Sequence, residues 1–241
     1  MFKLPSNVQY RVFDKTFKAS TARYLIKEDK ATPDEVQKNR EAICKAMDAP
    51  AIALVNQVHG TEIFYATEST KIASEPVADA IYTDKKNVIL AIQTADCVPV
   101  LIADKEGHVI GAAHCGWKSA VKGILDKLVS KMEDAGASKF VAIIGPSIHQ
   151  ESYEVDKRYF DAFMDEDSEN AKFFIPSVKP EHFMFDLSGY VRFRLELLGI
   201  VDIYHIYEDT YKNAEKYPSY RRHCHNGEEY RSGILSVIVM R

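Results

Sequence analysis

Apolar and polar positions along the chain recur with two different periods, which predicts strands interleaved with helices. Two apolar runs of strand length, residues 98–102 and 109–113, bracket the turn segment Asp104-Lys105-Glu106-Gly107 and predict a buried β-hairpin. Apolar side chains between residues 119 and 135 recur every three or four positions, which predicts an amphipathic helix that stops at Gly136. The rest of the predicted fold is organised around the hairpin.

Other stretches extend this pattern to the rest of the chain. Apolar runs predict further strands at residues 51–55, 63–65, 88–92, 140–144, 201–207 and 233–240. Helices are predicted from Thr32-Pro33 to about Met47, over residues 155–163, and from Asp186 or Ser188 to Leu198. An opening strand or hairpin is predicted around Asp14-Lys15, and a polar loop over residues 224–230. Hairpins are too frequent for a purely parallel sheet, so we predict an α+β sandwich, with residues 1–241 forming a single domain.

Composition narrows the class of protein. The net charge of -4 argues against the basic surface that nucleic-acid binding requires. No apolar run reaches the roughly 18 residues of a membrane span, and residues 1–7 lack the apolar segment of a signal peptide. The four cysteines include no CxxC pair, which favours a reducing compartment over a disulfide framework. We therefore expect a cytoplasmic protein that binds neither nucleic acid nor membranes.

The candidate chemistry lies at the ends of the hairpin. Antiparallel pairing brings Cys97, before the first strand, close to His114, after the second. With His59, which lies at a predicted turn, they could hold Zn²⁺ with the fourth position open, as catalytic zinc sites do. The same residues also suit a thiolate nucleophile, with His114 as base and Asp96, Asp79 or His59 as the orienting group. Spacing alone leaves both interpretations open.

Cys115 follows His114 directly. If the backbone is extended there, its side chain points to the opposite side of the strand. We therefore predict a packing role for Cys115.

Several motifs in chain order resemble one family. They are Asn56-Gln57-Val58-His59-Gly60, Ala78-Asp79-Ala80, Thr94-Ala95-Asp96-Cys97-Val98-Pro99-Val100, Ala113-His114-Cys115-Gly116-Trp117-Lys118, Gly145-Pro146-Ser147-Ile148 and Ser219-Tyr220-Arg221-Arg222. Together they are similar to the laccase-domain family, also labelled polyphenol oxidase or YfiH-like.

The resemblance implies a fold, a cofactor and an activity. It implies a four-layer α/β/β/α sandwich with mixed sheets, and zinc or copper bound by His59, Cys97 and His114. It also implies phosphorolysis of adenosine, inosine and methylthioadenosine, and deamination of adenosine. The sequence departs from the family after Arg23, where Tyr24-Leu25-Ile26 replaces a usual glycine pair. We expect that departure to bear on substrate choice.

Purine nucleoside chemistry assigns roles to further residues. Deamination needs a proton donor beside a metal-activated water, for which Asp96 and Asp79 are the candidates. Phosphorolysis needs cationic groups to hold phosphate, and the candidates are Arg23, Lys118, Arg221 and Arg222. Trp117, the single tryptophan, could stack on a purine or form part of a wall.

Four functions remain open from the sequence. The first is the metal-dependent purine nucleoside enzyme, acting as a monomer or weak homodimer on nucleosides and phosphate. The second is a copper-dependent phenol oxidase, against which the eight mostly scattered histidines argue. The third is a Cys97/His114 amidase or hydrolase that edits a cell-wall precursor, and the fourth is a non-catalytic zinc-stabilised binding module. Metal content separates the first from the third, and product formation separates the first from the fourth.

Overall fold

The computed structural model of the protein describes residues 3–17, 33–70, 74–227 and 233–241. The strands are β1 (Val8–Phe13), β2 (Ala51–Ala53), β3 (Ile63–Tyr65), β4 (Ala80–Thr83), β5 (Val88–Thr94), β6 (Val98–Asp104), β7 (Ile110–Cys115), β8 (Phe140–Ile144), β9 (Glu154–Asp156), β10 (Phe174–Pro176), β11 (His182–Phe185), β12 (Ile203–His205) and β13 (Ile234–Met240). The α-helices are α1 (Pro33–Ala46), α2 (Trp117–Val121), α3 (Ile124–Asp134), α4 (Lys157–Met164), α5 (Leu187–Leu197) and α6 (Tyr220–Asn226). In the described part of the chain, 3₁₀ helices cover Gln150–Ser152 and Ser168–Phe173.

Two mixed sheets carry the fold. The six-stranded sheet has the order β12-β8-β6-β7-β4-β3, and the four-stranded sheet has the order β1-β13-β5-β2. The predicted hairpin is confirmed, because β6 and β7 pair antiparallel with Val98 opposite Cys115. The start of β6 and the end of β7 therefore meet at one edge of the larger sheet.

The two sheets pack face to face between layers of helix. Alternate residues of β6 and β7, among them Leu101 and Ala112, are buried between the sheets against side chains such as Leu90 and Ile238. On the outer face of the six-stranded sheet, α2 to α5 cover the other alternate residues. Helix α1 covers the outer face of the four-stranded sheet. This arrangement confirms the four-layer α/β/β/α sandwich, since each sheet must bury both of its apolar faces.

A third sheet was not predicted from the sequence. Its strand order is β10-β11-β9, and its aromatic side chains pack against α4 and α5. Phe163 of α4 lies at the centre of this cluster, with its ring centroid 4.7 Å from that of Tyr190 and 4.8 Å from that of Phe185. The strands are only three or four residues long, which is why hydrophobic alternation does not identify them.

The helix predicted over residues 119–135 is two helices. It is broken at Gly123, which adopts a left-handed φ of 75° and forms the N-cap of α3. Apolar periodicity continues through the break because both segments pack on the same sheet face. A periodic pattern therefore identifies the buried face but not the interruption.

Other predictions differ from the structure at element boundaries. The helix predicted over 155–163 begins two residues later, because residues up to Asp156 belong to β9 and Asp156 caps α4. Residues 224–226 of the predicted 224–230 loop form the end of α6, which Ser219 caps by accepting a hydrogen bond from the Arg222 amide, and residues 228–230 lie outside the described residues. The opening strand pairs with β13 at the other end of the chain.

Within the described ranges, no helix is long and apolar enough to cross a membrane.

Candidate metal centre

Three segments bring His59, Cys97 and His114 together at one edge of the six-stranded sheet. His59 lies between β2 and β3, Cys97 directly precedes β6, and His114 belongs to β7. Their ligand atoms all lie within 4.8 Å of one another. The Cys97 Sγ atom is 3.7 Å from His59 Nε2, and the two imidazole centroids are 4.7 Å apart. The three side chains that the sequence predicted to act together are therefore neighbours.

Strand alternation separates His114 from Cys115. His114 lies on the same face of β7 as Ala112, which packs between the two sheets. Cys115 is fully buried on the opposite face, against the helices, and burial raises the pKa of its thiol well above the usual value. The predicted packing role of Cys115 is confirmed.

The position of His59 depends on the backbone around it. His59 has a φ of 61°, which side chains other than glycine rarely adopt. Its ring lies against the backbone of Gly116, where an added Cβ would approach His59 Cδ2 to 2.5 Å. A glycine at position 116 is therefore needed for this imidazole to reach Cys97.

Asp79 connects two of the three candidate ligands. Its side-chain Oδ1 lies 2.8 Å from His114 Nδ1 and accepts a hydrogen bond of 2.9 Å from the His59 amide. Its Oδ2 accepts hydrogen bonds from the amides of Val58 and Gly60 at 3.1 and 2.6 Å. Burial alone would raise the pKa of the Asp79 carboxyl, but these bonds, chiefly the one with His114, lower it.

The electrostatics of the triplet favour an ionised thiol. Burial would raise the pKa of Cys97, but the positive charge of His114 and hydrogen bonds with His114 and His59 outweigh it and lower the pKa to about 6. Burial would lower the pKa of His114, but the Cys97 thiolate and Asp79 together raise it to about 9. A thiolate is the form of cysteine that binds a metal or attacks a carbon atom.

Asp96 anchors the segments around Cys97. It has a left-handed φ of 88° and is buried. Its Oδ1 accepts a hydrogen bond from Thr210, and its Oδ2 accepts bonds from Ser219 and from the Arg221 amide, at 2.7, 2.9 and 2.7 Å. Burial raises the pKa of this carboxyl against these bonds, which act to lower it. Asp96 thus fixes the start of α6 beside Cys97.

The two adjacent arginines have different environments. Arg222 is buried, and its guanidinium donates to the backbone carbonyls of Thr210, Tyr211 and Tyr217. Arg221 is half-buried, and its guanidinium lies 5.0 Å from the centroid of the Tyr153 ring and donates to the Glu154 carbonyl. Of the two, only Arg221 therefore has its guanidinium on the aromatic wall, which is formed by the rings of Tyr153, Tyr159 and Trp117.

Aromatic rings and one lysine complete this wall. Burial, together with the charge of Cys97, raises the pKa of the Tyr153 hydroxyl well above its usual value. The indole of Trp117 stacks on Tyr159 at a centroid distance of 4.2 Å. Lys118 is exposed, with its Nζ 5.5 Å from the centroid of the Trp117 ring. The prediction for Arg23 lies outside the described residues.

The sequence did not identify Tyr153, Tyr159 or Thr210 as part of this region. Nothing in the local pattern distinguishes these residues from other aromatic or polar ones. Ser219 was recognised only within its motif, although a serine at a helix start is a usual N-cap.

The donor set fits a zinc or copper ion. Two imidazoles and a thiol of lowered pKa are ligands that both metals accept. Three protein ligands leave a coordination position open, as in catalytic zinc sites. Among the described residues this is the one group of three or more candidate ligands close enough to share an ion.

Comparisons with known proteins match the chain to a family. The model of the multi-copper polyphenol oxidoreductase laccase family matches residues 22–241. A purine nucleoside phosphorylase of Rickettsia conorii is 47% identical over 235 residues, which are 98% of this chain and 97% of the relative. The purine nucleoside phosphorylase YfiH of Escherichia coli is 32% identical over 195 residues, which are 79% of this chain and 76% of the relative.

Solved structures share the fold. A crystal structure of a Neisseria meningitidis protein matches with a TM-score of 0.81 and 28% identity, covering 98% of this chain and 96% of the other. The chain belongs to the multi-copper polyphenol oxidoreductase laccase family, and it shares its fold with the Neisseria meningitidis protein.

Proposed function

We propose that this protein is a metal-dependent purine nucleoside phosphorylase that cleaves adenosine, inosine and methylthioadenosine. The observation that carries the proposal is the His59, Cys97 and His114 triplet with the Arg221 guanidinium on the adjoining wall. Relatives named purine nucleoside phosphorylase support it over nearly the full chain.

Phosphorolysis transfers the sugar from the purine to phosphate. A phosphate oxygen bonds to the ribose C1′ while the bond from C1′ to the purine nitrogen breaks, and the purine leaves with its electron pair. The three ligands would hold zinc or copper, which supplies a Lewis acid at the sheet edge. Arg221 and Lys118 would hold the phosphate dianion, because their two positive charges attract it. The bound dianion would then lie near the positive charge that develops on the sugar. Trp117 and Tyr153 would form walls that exclude water from the reacting atoms.

Asp79 and Asp96 were candidates for proton donation in deamination. Each carboxylate accepts hydrogen bonds from the protein at both oxygens. We therefore assign both residues to positioning, and adenosine deamination becomes a reaction to be tested separately.

A Cys97-dependent hydrolase is the second candidate function. The order Asp79, His114, Cys97 matches the orienting group, base and nucleophile of a catalytic triad, with the Asp79 Oδ1 atom 2.8 Å from His114 Nδ1. A thiol that binds an ion cannot act as this nucleophile. Metal dependence therefore separates the two candidates.

We expect adenosine incubated with the metal-loaded protein to yield adenine only when phosphate is present. Chromatography of the products, with zinc-loaded, copper-loaded and chelator-treated protein, provides the measurement. Inosine formed both with and without phosphate would add deamination. Unchanged adenosine, inosine and methylthioadenosine under all conditions would contradict the proposal, and full phosphorolysis by metal-free protein would contradict its metal dependence.

We expect Arg221→Gln to raise the KM for phosphate by roughly 10- to 100-fold, since a charge-assisted hydrogen bond is worth about 1.5–3 kcal/mol. The KM for the nucleoside should change much less. Initial rates at varied phosphate concentration measure the effect. The control is Arg158→Gln, since Arg158 is an exposed residue of α4 that pairs with the N-cap residue Asp156. An unchanged KM for phosphate in Arg221→Gln would remove this residue from phosphate binding.

A further inference from the structure

We propose that Asp79 is the positioning residue of the metal centre, because one buried carboxylate orients both histidine ligands at once. The inference rests on the proposed metal-dependent function. It gives Asp79 a structural task at the ligands instead of a proton-transfer task at the substrate.

The first part of this task is the orientation of the His114 ring. The Asp79 Oδ1 atom lies 2.8 Å from His114 Nδ1, so the ring donates its Nδ1 proton to the carboxylate. This contact leaves the lone pair of Nε2 for an ion and fixes the plane of the ring. Carboxylate partners of this kind hold histidine ligands in many metal sites.

The second part is the backbone that carries His59. Three consecutive amides, those of Val58, His59 and Gly60, donate to the two oxygens of Asp79. A left-handed φ such as that of His59 is unfavourable for an ordinary residue, because its Cβ comes too close to the following carbonyl oxygen. Three hydrogen bonds to one carboxylate offset that cost and hold the His59 imidazole towards Cys97.

Asp79 is itself held in place by its own backbone. It is fully buried, its amide donates to Glu62, and its carbonyl accepts a 2.7 Å hydrogen bond from the His114 amide. The carboxylate therefore cannot follow the ligands if they move. His114 is bound to Asp79 through both its side chain and its main chain.

An asparagine cannot reproduce these contacts. Its amide oxygen can replace one carboxylate oxygen, but its NH₂ group is a donor and would face further donors. In one orientation the NH₂ group faces the backbone amides of Val58 and Gly60. In the other orientation it faces the backbone amide of His59 and the Nδ1–H group of the His114 ring. The first orientation removes two of the three hydrogen bonds that hold the backbone around His59, and the second removes the contacts with the His59 amide and the His114 ring.

The test is a titration of the metal-free protein with Co²⁺, followed by the visible absorption of the bound ion. Thiolate and imidazole ligands give Co²⁺ absorption bands that depend on ligand geometry, so the spectrum reports on positioning independently of turnover. We expect Asp79→Asn to bind Co²⁺ about 10- to 100-fold more weakly than the natural protein, with shifted bands.

The matched control is Asp104→Asn. Asp104 is also a buried aspartate of the six-stranded sheet, but it lies at the opposite end of β6, where its carboxylate accepts a hydrogen bond from the His108 amide. This variant should keep the Co²⁺ affinity and spectrum of the natural protein even if its stability falls.

The outcomes separate the positioning role from the proposed function. Unchanged affinity and bands in Asp79→Asn would overturn the positioning role and leave the metal-dependent function standing. A natural protein that takes up no Co²⁺, Zn²⁺ or Cu²⁺ would overturn both. If Asp79→Asn does not fold, Asp79→Glu gives the same comparison, since the longer side chain displaces the ring of His114, and unchanged bands there overturn the proposal as well.

Discussion

Replacing Cys97 with alanine is expected to abolish stoichiometric metal binding and to lower the rate of phosphorolysis by at least about 10³-fold. Cys97 supplies the one thiolate of the triplet, and its loss leaves two imidazoles to hold the ion. Losing an ion that contributes several kcal/mol of transition-state stabilisation accounts for a rate effect of this size. Metal analysis of the purified protein and nucleoside turnover under saturating phosphate measure the two effects.

Two other cysteines provide controls for that variant. Cys115→Ala changes the neighbour of His114 on the opposite strand face, and Cys44→Ala changes a half-buried residue of α1. Both should retain one bound metal per chain, although Cys115→Ala should lower the free energy of unfolding because its side chain is fully buried. If Cys97→Ala keeps its metal and its activity, the triplet is not the metal centre.

Replacing Phe163 with alanine is expected to lower the free energy of unfolding by about 3–5 kcal/mol. Phe163 has no exposed surface, and its ring contacts those of Phe174, Phe185 and Tyr190. The substitution removes the side chain that joins α4, the three-stranded sheet and α5. Urea denaturation followed by circular dichroism measures the change in unfolding free energy.

The effect of Phe163→Ala should extend to the site. Phe185 stacks on Tyr153 at 5.8 Å, and Tyr153 lies beneath the guanidinium of Arg221. Val178→Ala, which alters a fully exposed side chain beyond β10, is the control and should leave stability unchanged. A loss below about 1 kcal/mol in Phe163→Ala would mean that the aromatic cluster closes over the cavity, since collapse of a site reduces the cost of a truncation.

Long apolar elements of the fold could be predicted from the sequence. The runs that became β5, β6, β7 and β8 are buried on both faces, so their hydrophobicity alone identifies them. The break at Gly123 and the short strands β9 to β11 could not be predicted, because no periodicity accompanies a single left-handed residue or a three-residue strand. Helix α6 was missed because it is short and polar, with Arg222 as its buried residue.

The candidate site, like the fold, could be predicted from the sequence only in part. The proximity of Cys97 and His114 follows from hairpin pairing, which is a local rule. The approach of His59 depends on Asp79 and Gly116, which are distant in sequence, and the location of Arg221 depends on the contact between Asp96 and α6. Sequence spacing could not reveal these contacts. The different environments of Arg221 and Arg222 became evident only in the structure, where three backbone carbonyls bind the Arg222 guanidinium.

The three candidate metal ligands come from three segments that meet only at the edge of the assembled sheet. An unfolded chain therefore offers no comparable binding place, and an ion taken up by the native protein adds to its thermodynamic stability. At an ion concentration one hundred times the dissociation constant, that addition is about 2.7 kcal/mol. Because both sheets have apolar cores of their own, the ion strengthens a fold that is already formed.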